Sequence, residues 1–382
     1  MTSLQDPFLV QIDSFALNDI SRDYFHVDST KKQKAYNFIY EFYKRGAIPI
    51  ITWHHIEEML SHKNDEVSSR SIAFILALPF IAVLKSDIEC FIGSIVDINK
   101  EEIQTITMCE NEIEIGLIIQ ETCSNIYKFC SGASIIDPLI PNMGTIRQVV
   151  LSKAHKNKEI ASISRAKSLK PHYKHKLSDI RNMKNYTYSE EATNAILCNM
   201  KSKLTKEIKE QGDKKISSDS VDKIATDFIA DIKIDSTKVN IPMIEMICKS
   251  SGLSKEEFEK VKSWEDLECV PIFKARLESI AEEFPESQKD KIINLKEEYC
   301  PTWLLWKEIY KIRVKAERAS GSDITDAFLA GLSLYADLTI VDKRTHEYLT
   351  QIKRKDIAIS EYIQRFEKLS CYLDILDYLP SK

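Results

Sequence analysis

Glycine is scarce in this sequence, with nine among 382 residues. No glycine-rich loop of the kind that cradles phosphates is present, so nucleoside triphosphate hydrolysis has no support. The nine cysteines, at 90, 109, 123, 130, 198, 248, 269, 300 and 371, form no CxxC pair. That spacing disfavours structural zinc. The count is odd, and the opening MTSLQDPFLVQID lacks a basic start followed by an apolar run. We therefore expect no secretory signal, and reduced core thiols in a cytoplasmic protein. The longest apolar stretch, 72–84, is interrupted by Pro79 and falls short of the ~20 residues a membrane span needs. No serine or cysteine sits in a recognisable nucleophile motif. The net charge of −5 argues against generic polyanion affinity. An average over the chain can nevertheless hide a local basic face.

The ends of the chain carry alternating strand and helix signals. Residues 8–12 (FLVQI) read as a short buried strand ending at Asp13. A helix is predicted over 31–44, closed by Gly46 acting as a C-terminal cap. Residues 47–51 read as a second strand, with Thr52 placed to cap a helix through Leu60. A helix over 68–78 and a strand over 81–84 follow. Near the other end, Ser322 is placed to cap a helix over 323–335. A strand over 338–341 then ends at Asp342. A helix over 344–353, a last strand over 357–359 and an amphipathic helical tail over 361–378 complete the reading. Strand, helix, strand is the pattern of an α/β parallel sheet. The middle is dominated by helical periodicity, punctuated by Pro141, Pro171, Pro242, Pro271, Pro285 and Pro301. The expected architecture is one α/β domain, a parallel sheet flanked by helices, split by a large and mainly helical insertion. Its halves are 1–100 and 316–382, and the insertion is 101–315. An independent helical domain after the first is the alternative. The segment 211–220 reads as an exposed loop.

Acidic residues recur where a parallel sheet gathers functional groups, beyond the carboxyl ends of its strands. Asp13 and Asp342 each follow an apolar run directly. Glu57 and Glu58 lie on the helix after the second strand. Asp323 and Asp326, three apart, share the first turn of a later helix. Each taken singly is commonly a helix cap or a solvated side chain. Together they would repel one another and call for protonation or a cation. Mg²⁺ or Mn²⁺ suits an all-oxygen site that keeps bound water.

These residues resemble the PIN-domain nucleases. VQIDSFAL resembles the opening strand and first Asp of that family, and ITWHHIEEML its second strand and acid-bearing helix. Glu58 matches the family position better, because Ile56 and Met59 flank it, while Glu57 stays open. SDITDAFLAGLSLYADLTIVDKRTHEYL is the most specific match. Asp326 resembles the Asp that starts a small-and-apolar helix, Asp342 the Asp that ends the next strand, and Asp323 an additional acid of some branches. Asp337 reads as a turn residue. The resemblance covers about 5–95 and 318–365. It implies a PIN-like domain in which Asp13, Glu58, Asp326 and Asp342 hold Mg²⁺ or Mn²⁺, with Asp323 assisting. The implied reaction is phosphodiester cleavage, most often in RNA, and a toxin or anti-phage effector is one use of such an enzyme.

The tract 147–184 carries eleven Lys or Arg against Glu159 and Asp179, with His155, His172, Tyr173 and His175 interleaved. Such a tract is a candidate nucleic-acid track, and a solvated face is its plainer reading. Lys343 and Arg344 are candidate phosphate contacts, though helix-surface charge is their default. His54, Glu58 and His62 share i, i+4, i+8 spacing, a weak zinc pattern, and His54 and His55 are candidate donors near the acids. Trp303 and Trp306 read as core. The sequence thus points to a metal-dependent endonuclease, with the helical insertion available to a regulatory protein partner. Its rivals are a catalytically silent PIN-like scaffold and a hydrolase of small phosphate esters.

Overall fold

The computed structural model describes residues 7–88, 91–109, 113–163, 190–211, 216–231, 248, 251–315 and 323–381. The chain divides into two compact units. The first comprises 1–154, 286–309 and 325–382; the second comprises 155–285 and 310–324.

The first unit is built on a six-stranded sheet. Its strands are β1 (Phe8–Gln11), β2 (Ala47–Ile51), β3 (Ile81–Leu84), β4 (Tyr127–Cys130), β5 (Leu338–Ile340) and β6 (Arg365–Glu367), in the order β4-β3-β2-β1-β5-β6. Every pairing is parallel except β3 with β4. The inner strands are apolar because both faces are covered: β2, β3 and β5 are buried at every position. Val10, Ile51, Val83 and Leu338 pack in one core with Leu17, Phe38, Phe42 and Phe74.

Helices in this unit follow their local signals. Asp13 caps α1 (Ser14–Tyr24), and Asp28 caps α2 (Ser29–Lys44). Gly46 takes φ +76° just past α2, where its N–H bonds the Tyr43 carbonyl, as the sequence suggested. Thr52 caps α3 (Trp53–Leu60) through a capping box with His55. Asn64 caps α4 (Asp65–Ala77), and Ser94 caps α5 (Ile95–Met108). α6 (Ile115–Ile126) and α7 (Gly132–Ile136) follow, and α8 (Met143–Ile163) starts within this unit. Gly132 lies so close to α4 that a Cβ would stand 1.7 Å from the Ile75 carbonyl oxygen.

In the second unit, α9 (Glu190–Gln211) and α10 (Ser218–Asp231) bury Leu204, Ile208, Val221 and Ile224 against each other. Further along come α11 (Lys255–Lys260) and α12 (Trp264–Ala281), and Lys311 pairs with Asp266 at 2.7 Å. The chain then returns to the first unit through α13 (Glu286–Ile293). α14 (Pro301–Lys315) and α15 (Asp323–Leu329) cross between the units, and α16 (Lys343–Lys353) belongs to the first. Trp303 is buried and stacks on Trp306 at 4.8 Å, a core role as expected.

Several sequence expectations need correction. The helical insertion is narrower than 101–315, because 101–154 and 286–309 belong to the sheet unit. β4 adds to the sheet edge, and Glu102 on α5 accepts hydrogen bonds from Thr302 N, Thr302 Oγ1 and Tyr335 Oη. Residues 357–359 form no strand: Ala358–Tyr362 is a 3₁₀ turn, and the last strand is β6. The helical tail over 361–378 is replaced by β6 and a 3₁₀ helix over Tyr372–Tyr378. The helix predicted over 323–335 becomes 3₁₀ from Ala330 to Leu334. Of the eight described cysteines, none forms a disulfide, but only Cys248, Cys269 and Cys300 are buried, and Cys198 and Cys371 are exposed. Ser322, Pro171, Pro242, Cys90 and part of 211–220 lie outside the described residues. Among those described, no helix is long and apolar enough to cross a membrane.

Candidate carboxylate site

The strand order sets where a site can form. From β1 the chain builds outward through β2 and β3, then returns to the other side of β1 with β5 and β6. The order reverses between β1 and β5, and the crevice at such a switch point is where open α/β sheets bind ligands. Val10 pairs with Leu338 and Gln11 with Thr339. Two residues further along each strand, this register places Asp13 level with Val341, beside Asp342.

Both aspartates are helix caps. Phe15 N donates to Asp13 Oδ1 at 3.5 Å, and Thr345 N donates to Asp342 Oδ1 at 2.7 Å. The plain structural role is therefore real, but neither cap uses Oδ2. The positive ends of α1 and α16 both face the crevice, which favours negative charge there.

Glu58 enters from α3. It is largely buried, and burial first, then the Asp342 carboxylate, push its carboxyl above the usual range. The Ser14 hydroxyl and His54 pull the other way. Ser14 Oγ nevertheless makes no hydrogen bond, and neither does buried Glu58 Oε2. Asp13 is pushed from 3.8 to about 7, by burial and then by the Glu58 and Asp342 carboxylates, against the capping N–H groups of Phe15 and Ser14. Three of the expected acids thus sense one another electrostatically.

Asp326 joins them from α15. Gln11, Asp13, Asp326, Asp342 and Thr345 line one recess with about 10 Å³ of open space, room for one water-sized occupant. α15 approaches α3 where Phe328 stacks on the His54 ring, 5.4 Å away and nearly parallel at 7°. Asp323 is the first residue of α15, and its side chain is not among those described.

Asp13, Glu58 and Asp342 form no ion pair with Lys or Arg among the described residues. Glu57 differs: it pairs with Lys153 at 2.5 Å and His54 at 3.5 Å, and accepts from Trp53 Nε1 at 2.9 Å. Between the two candidates on α3, Glu58 is the one facing the crevice acids. Asp337 accepts from Leu9 N at 2.6 Å, joining the entries of β1 and β5 rather than serving the site. Among the described residues, no three His, Cys, Asp or Glu are drawn together tightly enough to hold a metal ion as they stand. The His54, Glu58 and His62 pattern does not share one helix, because α3 ends at Leu60 and His62 Nδ1 accepts from Asn64 N.

Gln11, which the sequence reading passed over, and His55, which it named only as a candidate donor, also shape the site. Gln11 is buried in the central strand with Oε1 unbonded. A lone polar residue inside an apolar strand was the available signal. His55 is fully buried and bridges two elements. Its Nδ1 accepts from Thr52 N at 3.0 Å, and its Nε2 meets the Ile12 carbonyl at 3.1 Å. Nε2 carries the proton it donates to that carbonyl, while Nδ1, as an acceptor, carries none, so the ring is neutral. Burial, then neighbouring His54, lower its pKa from 6.5 to about 3. This residue ties the peptide just before Asp13 to the start of the helix that carries Glu58.

In the basic tract, Arg147 pairs with Asp65 at 2.6 Å and Lys153 with Glu57, so its first cations are neutralised by the chain's own acids. His155 pairs with Glu159 at 3.2 Å. Residues 164–184, with His172, Tyr173 and His175, lie outside the described residues.

No protein-family model, curated protein or solved structure matches this chain.

Proposed function

We propose that this protein is a metal-dependent endonuclease with a PIN-like catalytic domain, acting on RNA in the cytoplasm. The observation that carries the reading is that Asp13, Glu58 and Asp342 gather at the switch point and form no ion pair with Lys or Arg among the described residues. Burying like charges this way is costly unless a proton or a cation joins them. The donor chemistry fits Mg²⁺ or Mn²⁺: all the candidate ligands are oxygens, and acceptor atoms Glu58 Oε2 and Gln11 Oε1 are buried without hydrogen bonds. Asp13, Glu58, Asp326 and Asp342 would hold the ion, with Asp323 assisting. Bound there, the ion would supply an activated water and charge stabilisation for phosphodiester hydrolysis. The protein's part is to fix the donors. α1 and α16 hold Asp13 and Asp342 by their caps, and His55 fixes the spacing between β1 and α3. Without the ion, burial and the neighbouring carboxylates push Asp13 to about 7, so a proton takes the place of the cation there. The helical second unit is available to a regulatory protein, and a toxin or anti-phage effector is one setting for such an enzyme.

The test compares wild type with Asp13→Asn and Asp342→Asn on labelled RNA and single-stranded DNA, with Mn²⁺ or EDTA. The expected result is Mn²⁺-dependent cleavage lost in both variants and in EDTA. Cleavage that persists in the variants removes the assignment. The second reading, a silent scaffold, is favoured by the capping roles of Asp13 and Asp342. It requires that calorimetry detect no Mn²⁺ binding to the wild type.

A further inference from the structure

A groove lies beside the carboxylates, lined mainly by residues that follow β1, β5 and β6. It holds about 340 Å³ of open space, and Asp13 and Asp342 are among the residues that line it. Phe15, Lys343, Lys368 and Tyr372 are among its other lining residues. Phe15 stands on the first turn of α1 with 71% of its surface exposed, although the neighbouring Leu17 and Ile20 are buried. Lys343 and Lys368 are both exposed and pair with no acid among the described residues. The groove thus offers a flat apolar ring and two available cations together with Asp13 and Asp342.

We propose that Phe15 is a base-stacking platform, and that Lys343 and Lys368 are phosphate contacts, of a groove that feeds an unpaired nucleic-acid strand into the carboxylate site. This rests on the proposed nuclease reading and assigns its specificity to named residues. An aromatic ring accepts any base by its face, and cations spaced along a wall follow the backbone. A duplex keeps its base faces covered by neighbouring pairs, so it gains nothing from Phe15. An acidic peptide would use the lysines but would leave the ring unused and meet Asp13, Asp19 and Asp342 without a bridging cation.

Fluorescence anisotropy with a labelled twelve-nucleotide oligouridine and an RNA duplex of equal length, in Ca²⁺ at several salt concentrations, tests this. Phe15→Ala is expected to weaken single-strand binding about 10-fold without changing the salt slope, and Phe15→Trp to restore it. Lys343→Ala with Lys368→Ala should lessen the log–log salt slope by about 1.4, about 0.7 for each phosphate no longer neutralised by a lysine. Mn²⁺ affinity, measured without nucleic acid, should be equal in all these variants. Wild-type affinity for the single strand in the Phe15 and lysine variants, with Mn²⁺ binding intact, overturns the groove and leaves the metal site standing. Equal affinity for duplex and single strand also overturns it. If wild type binds no Mn²⁺, the nuclease reading falls, and the same variants measured in EDTA still decide the groove.

Discussion

Replacing Asp13 by Asn should stabilise the protein at alkaline pH in the absence of metal. The carboxyl is pushed from 3.8 to about 7, by burial and by Glu58 and Asp342. A folded-state pKa raised this way means that the folded protein binds the proton more tightly than the unfolded chain. Stability from this group is fully present below about 3.8 and is lost as pH rises through about 7. At about 1.36 kcal/mol per pH unit, the interval corresponds to about 4 kcal/mol by pH 8. Asn does not titrate and still caps a helix, so the variant escapes this penalty without losing α1. Residual solvent at the site reduces the gain, and we expect Asp13→Asn to exceed wild type by about 2–4 kcal/mol at pH 8. The gap should narrow to about 1–2 kcal/mol at pH 5 and close near pH 4. Urea unfolding in EDTA at these pH values measures it. Adding Mn²⁺ at a hundred times the dissociation constant should close most of the gap at pH 8, since wild type gains about 2.7 kcal/mol and the variant gains little. A stability difference that does not change between pH 5 and pH 8 would refute the claim that these carboxylates crowd one another.

Other outcomes follow from the same geometry. Glu58→Gln should abolish Mn²⁺ binding in calorimetry while Glu57→Gln preserves it, because Glu57 is engaged by Lys153 and His54; the opposite result assigns the ligand to Glu57. His55 has a lowered pKa, so its contribution is complete above about 6.5 and is lost as pH falls toward about 3, about 2 kcal/mol of it by pH 5. His55→Asn, which cannot reach the Ile12 carbonyl, should be less stable at pH 7 by about 1–2 kcal/mol and show a shallower acid slope; equal slopes would contradict the neutral-ring assignment. Gly132→Ala drives a Cβ into the Ile75 carbonyl and should cost at least about 2 kcal/mol in thermal unfolding, and a neutral result would mean that α7 can shift away from α4.

The legible parts of this fold share a cause. β1, β2 and β3 lie inside the sheet, so their buried faces write continuous apolar runs into the sequence. Gly46 and Thr52 mark helix ends because only particular residues suit a positive φ or an N-cap. Asp13 and Asp342 were found because an acid directly after an apolar strand is conspicuous. The edge strands were not legible: YKFC in β4 and RFE in β6 are short and partly exposed, and they read as helix or loop. The juxtaposition of α3 and α15 depends on a stack of His54 on Phe328, and no local pattern announces a pair 274 positions apart. Gln11 and Ser14 escaped notice because orphaned polar atoms exist only in three dimensions.

The site also depends on whether a chain so long interrupted can keep β1 beside β5. Leu9 and Asp337, whose contact joins those strands, are 328 positions apart. Excising 155–285 would leave about 200, and loop-closure entropy grows only as the logarithm of length, so the second unit costs the pairing only about 0.4 kcal/mol. A single well-made hydrogen bond offsets that. The structure has several: Asp337 receives Leu9 N, and Glu102 receives Thr302 and Tyr335, joining the first, returning and last stretches of the sheet unit. A large insertion is therefore thermodynamically mild at this position, provided that it leaves and re-enters away from the switch point. The long excursion leaves and returns at 154 and 286, at helices α8 and α13, and the shorter one, 310–324, returns within α15 just before Asp326, so neither interrupts the loops that carry Asp13 or Asp342. Two carboxylates from opposite ends of the chain can thus be held by their own helix caps while the region between them is free to take on another task.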